Sequence, residues 1–246
     1  MIDIHCHLLP GIDDGATTIE QSLALARYAA ADGITHMVVT PHIQPGTYAN
    51  NLTTISAAFE LFMAGLEEAG IDLNVAMAAE VRLCPEILPM LEQGNLPLFV
   101  SPEGKQTLLL ELPHSHVPPG TEEAVKLLLA QDIGVVIVHP ERNKEIMLDY
   151  NKVEVFIGLG CMLQLTSGSV SGRFGKPPYM AAKHMLQQGW VDLLASDAHN
   201  LQYRPPQLSD GKQAAAAIIG EDRAHELVFE NPWKIVGGMF GSSGYC

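Results

Sequence analysis

A chain of 246 residues with 47% hydrophobic and 17% charged side chains has enough apolar material for one barrel-sized core or two small domains, and it is not a disordered polymer. Its 14 Lys and Arg stand against 28 Asp and Glu, a formal net charge of −14 that argues against a nucleic-acid partner. That balance leaves room for bound cations and for one phosphate in a local cationic pocket.

Short apolar runs alternate with longer amphipathic stretches. Strands are expected over residues 2–5, 36–40, 74–80, 107–112, 134–139, 161–166 and 191–196. Their near-continuous apolar character suits parallel strands covered on both faces. Helices are expected over 18–32, 53–69, 120–131, 179–188 and 208–219, the first opened by a capping box with Thr17 as the cap. Gly33, Gly70, Gly134, Gly189 and Gly220 sit where helices should stop. An alternation kept from end to end, with seven strands, argues for one α/β barrel-like domain over residues 1–240 and a flexible tail over 241–246.

Cys6, Cys84, Cys161 and Cys246 form no C-x-x-C pair and no zinc-finger spacing, which suits a reducing compartment. The N-terminus has no basic region followed by an apolar core, and no apolar run is long enough to span a bilayer. The expectation is a cytoplasmic protein without membrane insertion.

The informative pattern is where metal-ligating residue types fall. His5 and His7 end the first strand, His42 follows the second, and Glu80 ends the third. Glu111 ends the fourth, His139 the fifth, and Asp197 with His199 the seventh. In a parallel barrel all these ends lie on one face, where active sites are built. Asp14, in the loop Gly11-Ile12-Asp13-Asp14-Gly15, can join them. Residues two apart on a strand point the same way, so His5 with His7, and Asp197 with His199, can each aim two groups into one cavity. Imidazoles mixed with carboxylates suit zinc, manganese or iron. Nine ligands suffice for two or three ions with positions left for water.

Arg142 follows one of these residues in His139-Pro140-Glu141-Arg142-Asn143, and Arg204 lies in the loop after His199. A planar guanidinium suits bidentate binding of phosphate. The plainer reading is a structural ion pair with Glu141 or another surface acid. His114, His116 and Tyr48 lie in loops near the same strand ends, with no role assigned. Cys6, Cys84 and Cys161 have Ile12, Met90 and Ser167 six positions on, so no cysteine-phosphatase loop is present. No P-loop and no G-x-S-x-G elbow occurs.

His5-x-His7, Leu9 to Gly15, Thr40-Pro41-His42, Ala79-Glu80, Leu110-Glu111, Val138 to Asn143 and Ser196-Asp197-Ala198-His199 together resemble the PHP (polymerase and histidinol phosphatase) superfamily. Within it they resemble the branch of bacterial protein-tyrosine phosphatases of capsule and exopolysaccharide operons. The resemblance runs to about Trp233. It implies a distorted (β/α)7 barrel and three divalent ions, commonly Mn2+, with Fe or Zn as alternatives. One ion would be held by His5, His7, Glu80 and Asp197, a second by Glu80, Glu111 and His139, and the third by Asp14, His42 and His199. Glu80 would bridge two ions; Arg142 and Arg204, on their loop positions, are the expected phosphate-binding catalytic groups. The implied function is hydrolysis of phosphotyrosine by a metal-activated hydroxide, on the tail of a bacterial tyrosine kinase of polysaccharide export. The alternatives are a small-molecule phosphatase of the histidinol phosphate type and a phosphotyrosine-binding module without turnover.

Overall fold

The computed structural model describes residues 1–241. The strands in chain order are β1 Ile2–Asp3, β2 His36–Val39, β3 His42–Ile43, β4 Asn74–Met77, β5 Glu80–Arg82, β6 Phe99–Val100, β7 Gln106–Glu111, β8 Gly134–Val138, β9 Met162–Thr166 and β10 Leu193–Ala195. The order β1-β2-β4 makes one sheet, and β10-β9-β8-β7-β5-β3 makes the other, with β6 antiparallel on β7. All other pairings are parallel.

The two sheets are one ring interrupted at kinks. The strand expected over 74–80 breaks into β4 and β5, and the chain beyond β2 forms the further short strand β3 past Pro41. Pairing persists through both kinks, because Ala78 donates its N–H to Val39 O at 2.9 Å and Glu80 to Pro41 O at 3.2 Å. The last seam closes at the top, where His7 N–H reaches Ala198 O and Asp197 N–H reaches His5 O, both at 2.8 Å. Asp3 reinforces it by accepting from Ser196 N–H at 3.0 Å and from the Ser196 hydroxyl at 2.5 Å. Seven staves therefore surround one interior.

Side-chain alternation explains why the strands read as continuously apolar. Ile2, Ile4, Val38, Leu109, Val136, Val138, Leu193 and Ala195 belong to one cluster filling the barrel. Met37, Val39, Leu108, Leu110, Val135, Ile137, Leu163 and Leu194 belong to a second, between strands and helices. Each stave is buried on both faces, as parallel strands require. Ile235 and Val236, from helix Asn231–Val236, join the interior cluster.

Local chemistry corrects some expectations. Thr18, not Thr17, caps helix Ile19–Ala31, accepting from Gln21 N–H, while the Gln21 side chain accepts from Thr17 N–H at 3.0 Å. Gly134 opens β8 and caps nothing; Asp132, with φ +59°, takes the left-handed position after helix Thr121–Ala130. The loop 201–208 contains no cap for helix Ser209–Ile219, so Asp32 supplies one from afar, accepting from Leu208 N–H at 2.7 Å and Ser209 N–H at 3.0 Å. Strand β6 and short helices such as Ile87–Glu92 and Lys144–Leu148 were not expected. The tail expected over 241–246, with Cys246, lies beyond the described residues save for Gly241. No helix among the described residues is long and apolar enough to cross a membrane.

Candidate metal centre

The nine residues expected as ligands meet above the barrel interior. Three groups of ligand atoms, each within 4.8 Å of one another, can be drawn: His5, His7, Glu80 and Asp197; His7, Asp14, His42 and His199; and His42, Glu80 and Glu111. The third differs from expectation in its imidazole. His42 Nδ1 lies 3.0 Å from Glu80 Oε2 and 3.8 Å from Glu111 Oε2. His139 instead faces the other Glu80 oxygen, Nε2 to Oε1 at 2.8 Å.

Getting these side chains inward takes departures from regular strand. Ile4 belongs to the interior cluster and Cys6 to the outer one, so the alternation slips at His5 and both His5 and His7 face in. Odd-numbered residues of β8 face the helices, and a regular continuation would send His139 out among them. Its φ of +35° turns it over the rim instead. Asp197 has φ +52°. Left-handed non-glycine residues cost about 1–3 kcal/mol each, and such strain collects at functional sites.

The first group has the shape of a metal site. His5 Nε2 and His7 Nε2 each lie 3.2 Å from Glu80 Oε2 and 3.4 Å from Asp197 Oδ1, and 3.3 Å from each other. Four atoms at ~2.1 Å from a tetrahedral ion stand roughly 3.4 Å apart. The tautomers agree. His5 Nδ1 lies 2.7 Å from Gln164 Oε1, whose orientation is fixed by Gln164 Nε2 donating to Leu165 O. His7 Nδ1 lies 2.7 Å from Asp13 Oδ2. Both Nδ1 atoms therefore carry a proton, and both Nε2 atoms face the centre, as two ligands of one ion would. Glu80 Oε2, Asp197 Oδ1, His42 Nδ1 and His199 Nε2 are buried without a hydrogen-bond partner, as inward-facing ligand atoms would be.

Electrostatics shows how strongly these charges act on one another: burial opposes charge on His5 and His7, but Glu80 and Asp197 raise the pKa of His5 and Asp13 raises that of His7. Burial opposes ionisation of Glu80, but His5 and His42 beside it, with hydrogen bonds from His139 and His42, hold it well below the usual carboxylate range. Burial likewise opposes ionisation of Asp197, and Arg204, His5 and Arg142 outweigh it. Burial and the Glu80 charge push Glu111 up to about 7 against the pull of His42 and Arg82. His139 is pushed down to about 4, chiefly by burial, so the ring is neutral.

Arg142 and Arg204 both reach in. Arg142 donates to Asp197 Oδ2, and Arg204 NH2 donates to the same oxygen at 2.5 Å. The expected alternative, a pair with Glu141 or a surface acid, is not the arrangement found: Asp197 is buried, and Glu141 accepts instead from Thr166 N–H at 2.9 Å. Three further groups escaped sequence reasoning. Asp13 orients His7 and accepts from His42 N–H at 3.1 Å and Gly15 N–H at 2.9 Å. Gly15 makes this possible, since a Cβ there would fall 2.0 Å from His7 O. Gln164 orients His5, and its signal was a lone amide inside an apolar strand. Arg82 clamps Glu111 with two bonds of 2.7 and 2.9 Å, and its signal was its place two residues past Glu80. Tyr48 stacks on His42, ring centroids 5.4 Å apart. His114 is exposed and lines a cleft beside Arg142; His116 is exposed in the same loop.

The family description "Capsular polysaccharide synthesis, CpsB/CapC" matches residues 1–237. The chain belongs to the CpsB/CapC family. Among relatives of this CpsB/CapC protein, tyrosine-protein phosphatase YwqE of Bacillus subtilis is 34% identical over 204 residues, 83% of this chain and 79% of its own length. Tyrosine-protein phosphatase CpsB of Streptococcus pneumoniae is 29% identical over 245 residues, covering 96% of this chain and 98% of its own. A chain from the crystal structures of YwqE and CpsB, described as metal-dependent tyrosine phosphatases, superposes with TM-score 0.89 at 30% identity, covering 97% of this chain and 95% of that one. An organophosphorus hydrolase from Deinococcus radiodurans shares the barrel alone, with TM-score 0.60 at 14% identity over 98% of this chain and 92% of that one.

Proposed function

We propose that this CpsB/CapC protein is a metal-dependent tyrosine phosphatase, a phosphoric monoester hydrolase acting through the centre at the barrel mouth. The observation that carries the chemistry is the pair of facing imidazole Nε2 atoms closed off by Glu80 Oε2 and Asp197 Oδ1, four ligand atoms at tetrahedral spacing. Residues 1–240 act as one domain holding three divalent ions, Mn2+ first among the candidates on the nitrogen and oxygen donors and the family resemblance. His5, His7, Glu80 and Asp197 hold one, Glu80 and Glu111 with His139 a second, and Asp14, His42 and His199 the third; His42, within reach of Glu80 and Glu111, can also serve the second. When bound, such ions lower the pKa of water toward neutrality and neutralise phosphate oxygens.

The protein's own groups do the rest. Asp13 and Gln164 accept the Nδ1 protons of His7 and His5 and so turn both Nε2 atoms towards the centre. Glu80 stays ionised, with Oε2 facing His5, His7 and His42 and Oε1 facing His139, and would be shared between two ions. Arg142 and Arg204 stand at the edge of the centre, bonded through Asp197 and lining the cleft beside it, where their free N–H groups meet the phosphoryl oxygens. They fix the phosphate and offset charge that grows as the ester bond breaks. A phenolate leaving group, with a pKa of ~10, needs less protonation than an alkoxide.

The relatives' names support phosphotyrosine as the substrate, and the family resemblance adds its place, the flexible tail of a bacterial tyrosine kinase of polysaccharide export. A disordered tail reaches a site at a barrel mouth without unfolding, and successive tyrosines raise local substrate concentration. The test is kcat/KM for a phosphotyrosine peptide, a matched phosphoserine peptide and histidinol phosphate under one metal. Phosphotyrosine should be fastest. A preference of about a hundredfold for histidinol phosphate, ~2.7 kcal/mol, would return the protein to the small-molecule class.

A further inference from the structure

A cleft of about 540 Å³ opens beside the metal centre. Arg142 and Arg204 form part of its lining, together with Phe174, Tyr203, Met147 and Pro178. We infer that this cleft is the subsite for the substrate's aryl ring, with Phe174 as its inner surface and Tyr203 as its outer rim, and that these two residues set the preference for phenolic over alkyl phosphates. The inference rests on the phosphotyrosine reading above.

Phe174 is held in place before any ligand arrives. Its N–H donates to Gly168 O at 3.3 Å, and a Cβ on Gly168 would come within 2.7 Å of its ring. On the ring stands the Arg142 guanidinium, 5.4 Å from the centroid. Arg142 therefore touches Asp197 at the metal centre and the Phe174 ring at once. An ester whose phosphoryl group meets Arg142 and Arg204 must place its leaving group nearby, and the apolar surface there belongs to this cleft. A flat ring gains there by packing against the Phe174–Arg142 pair, with cation–π and aromatic contacts that an alkyl chain cannot reproduce. Tyr203 is 67% exposed, yet its backbone is fixed, because Asn200 Oδ1 accepts from Gln202 N–H at 3.2 Å and Tyr203 N–H at 2.8 Å.

A second cleft of about 440 Å³ lies across the same loop, sharing Gln202 and Tyr203 and reaching His199. Its lining contains no arginine, so it lacks the charge that would hold a phosphoryl group at its inner end. The outer part of the first cleft has a further cation, Arg173, tied to Gln207 at 2.6 Å.

The test uses the metal-loaded full chain and two substrates, a phosphotyrosine peptide and glycerol 2-phosphate. The quantity read is the ratio of their kcat/KM values. Phe174→Ala and Tyr203→Ala should each lower this ratio, Phe174→Ala by about tenfold and Tyr203→Ala by about threefold, with the peptide's KM rising more than its kcat falls. Gly168→Ala, which crowds the ring, should lower it in the same direction. If Phe174→Ala fails to fold, Tyr203→Ala at the exposed rim still decides. Ratios unchanged in the folded variants, or both substrates slowed equally, overturn the aryl subsite while leaving the phosphatase reading intact. A wild-type protein with no preference for the phosphotyrosine peptide overturns both.

Discussion

The inside of the barrel and its upper rim are a few residues apart along each strand and obey opposite rules. Below, Ile2, Ile4, Val38, Val136, Val138 and Leu193 fill the interior with buried apolar side chains. Above, Asp13, Asp14, Glu80, Glu111 and Asp197 crowd five carboxylates among histidines, with His139 and Asp197 in left-handed backbone. The lower part holds the staves together. The upper part is costly to fold, because burial desolvates its carboxylates and imidazoles and its like charges repel, a cost that the neighbouring arginines offset in part and bound cations would offset further. Stability and chemistry are thus stacked in one fold, and substitutions should separate them.

The largest expected effect is at the rim. Glu80→Ala should lower kcat by about a thousandfold or more, ~4 kcal/mol of barrier, with KM changing far less. The metal-free variant should keep a Tm within about 4 °C of metal-free wild type, the shift of ~1 kcal/mol in a chain of this length. Near-normal kcat in a folded variant would remove Glu80 from the centre.

Leu193→Ala should show the converse. Deleting a fully buried leucine in the interior should lower unfolding stability by about 2–5 kcal/mol in a denaturant titration. The kcat of the remaining folded enzyme should stay within about twofold of wild type. A kinetic loss as large as the stability loss would mean that rim and interior are mechanically one unit.

Arg142→Ala and Arg204→Ala should each lower kcat/KM by about ten- to a hundredfold, the worth of a charge-assisted hydrogen bond at roughly 1.5–3 kcal/mol. Metal content by mass spectrometry should not change. Wild-type kinetics in both would leave these arginines only their bond to Asp197.

The smallest effect sharpens the tautomer argument. Asp13→Asn keeps the shape but loses the carboxylate that holds the His7 proton on Nδ1. Metal affinity should fall by about ten- to a hundredfold, and excess metal should restore kcat. Unchanged affinity by competitive chelator titration would show that His7 needs no orienting partner.

Much of this was legible in the sequence because a parallel barrel turns strand ends into a shared address. His5, His7, His42, Glu80, Glu111, Asp197 and His199 could be placed on one face from their position after apolar runs alone. What was not legible depends on departures from regular strand. Nothing in Val138-His139-Pro140 announces a left-handed His139, and nothing in 74–80 announces that β4 and β5 separate at a kink. The supporting partners were also hidden, since the bond from His5 to Gln164 spans 159 positions and appears only when the ring closes. The Thr17 cap failed by one residue because Gln21 reaches back to Thr17 while Thr18 makes the cap.

The central claim is that the rim is a multi-metal centre on which hydrolysis depends. It is tested most directly by stripping the full chain with chelator, verifying by mass spectrometry that no metal remains, and titrating Mn2+ back while following phosphotyrosine peptide turnover. The stripped protein should show no turnover, and activity should return with bound metal to a plateau near three ions per chain. Turnover that persists with metal content verified as nil would contradict that claim.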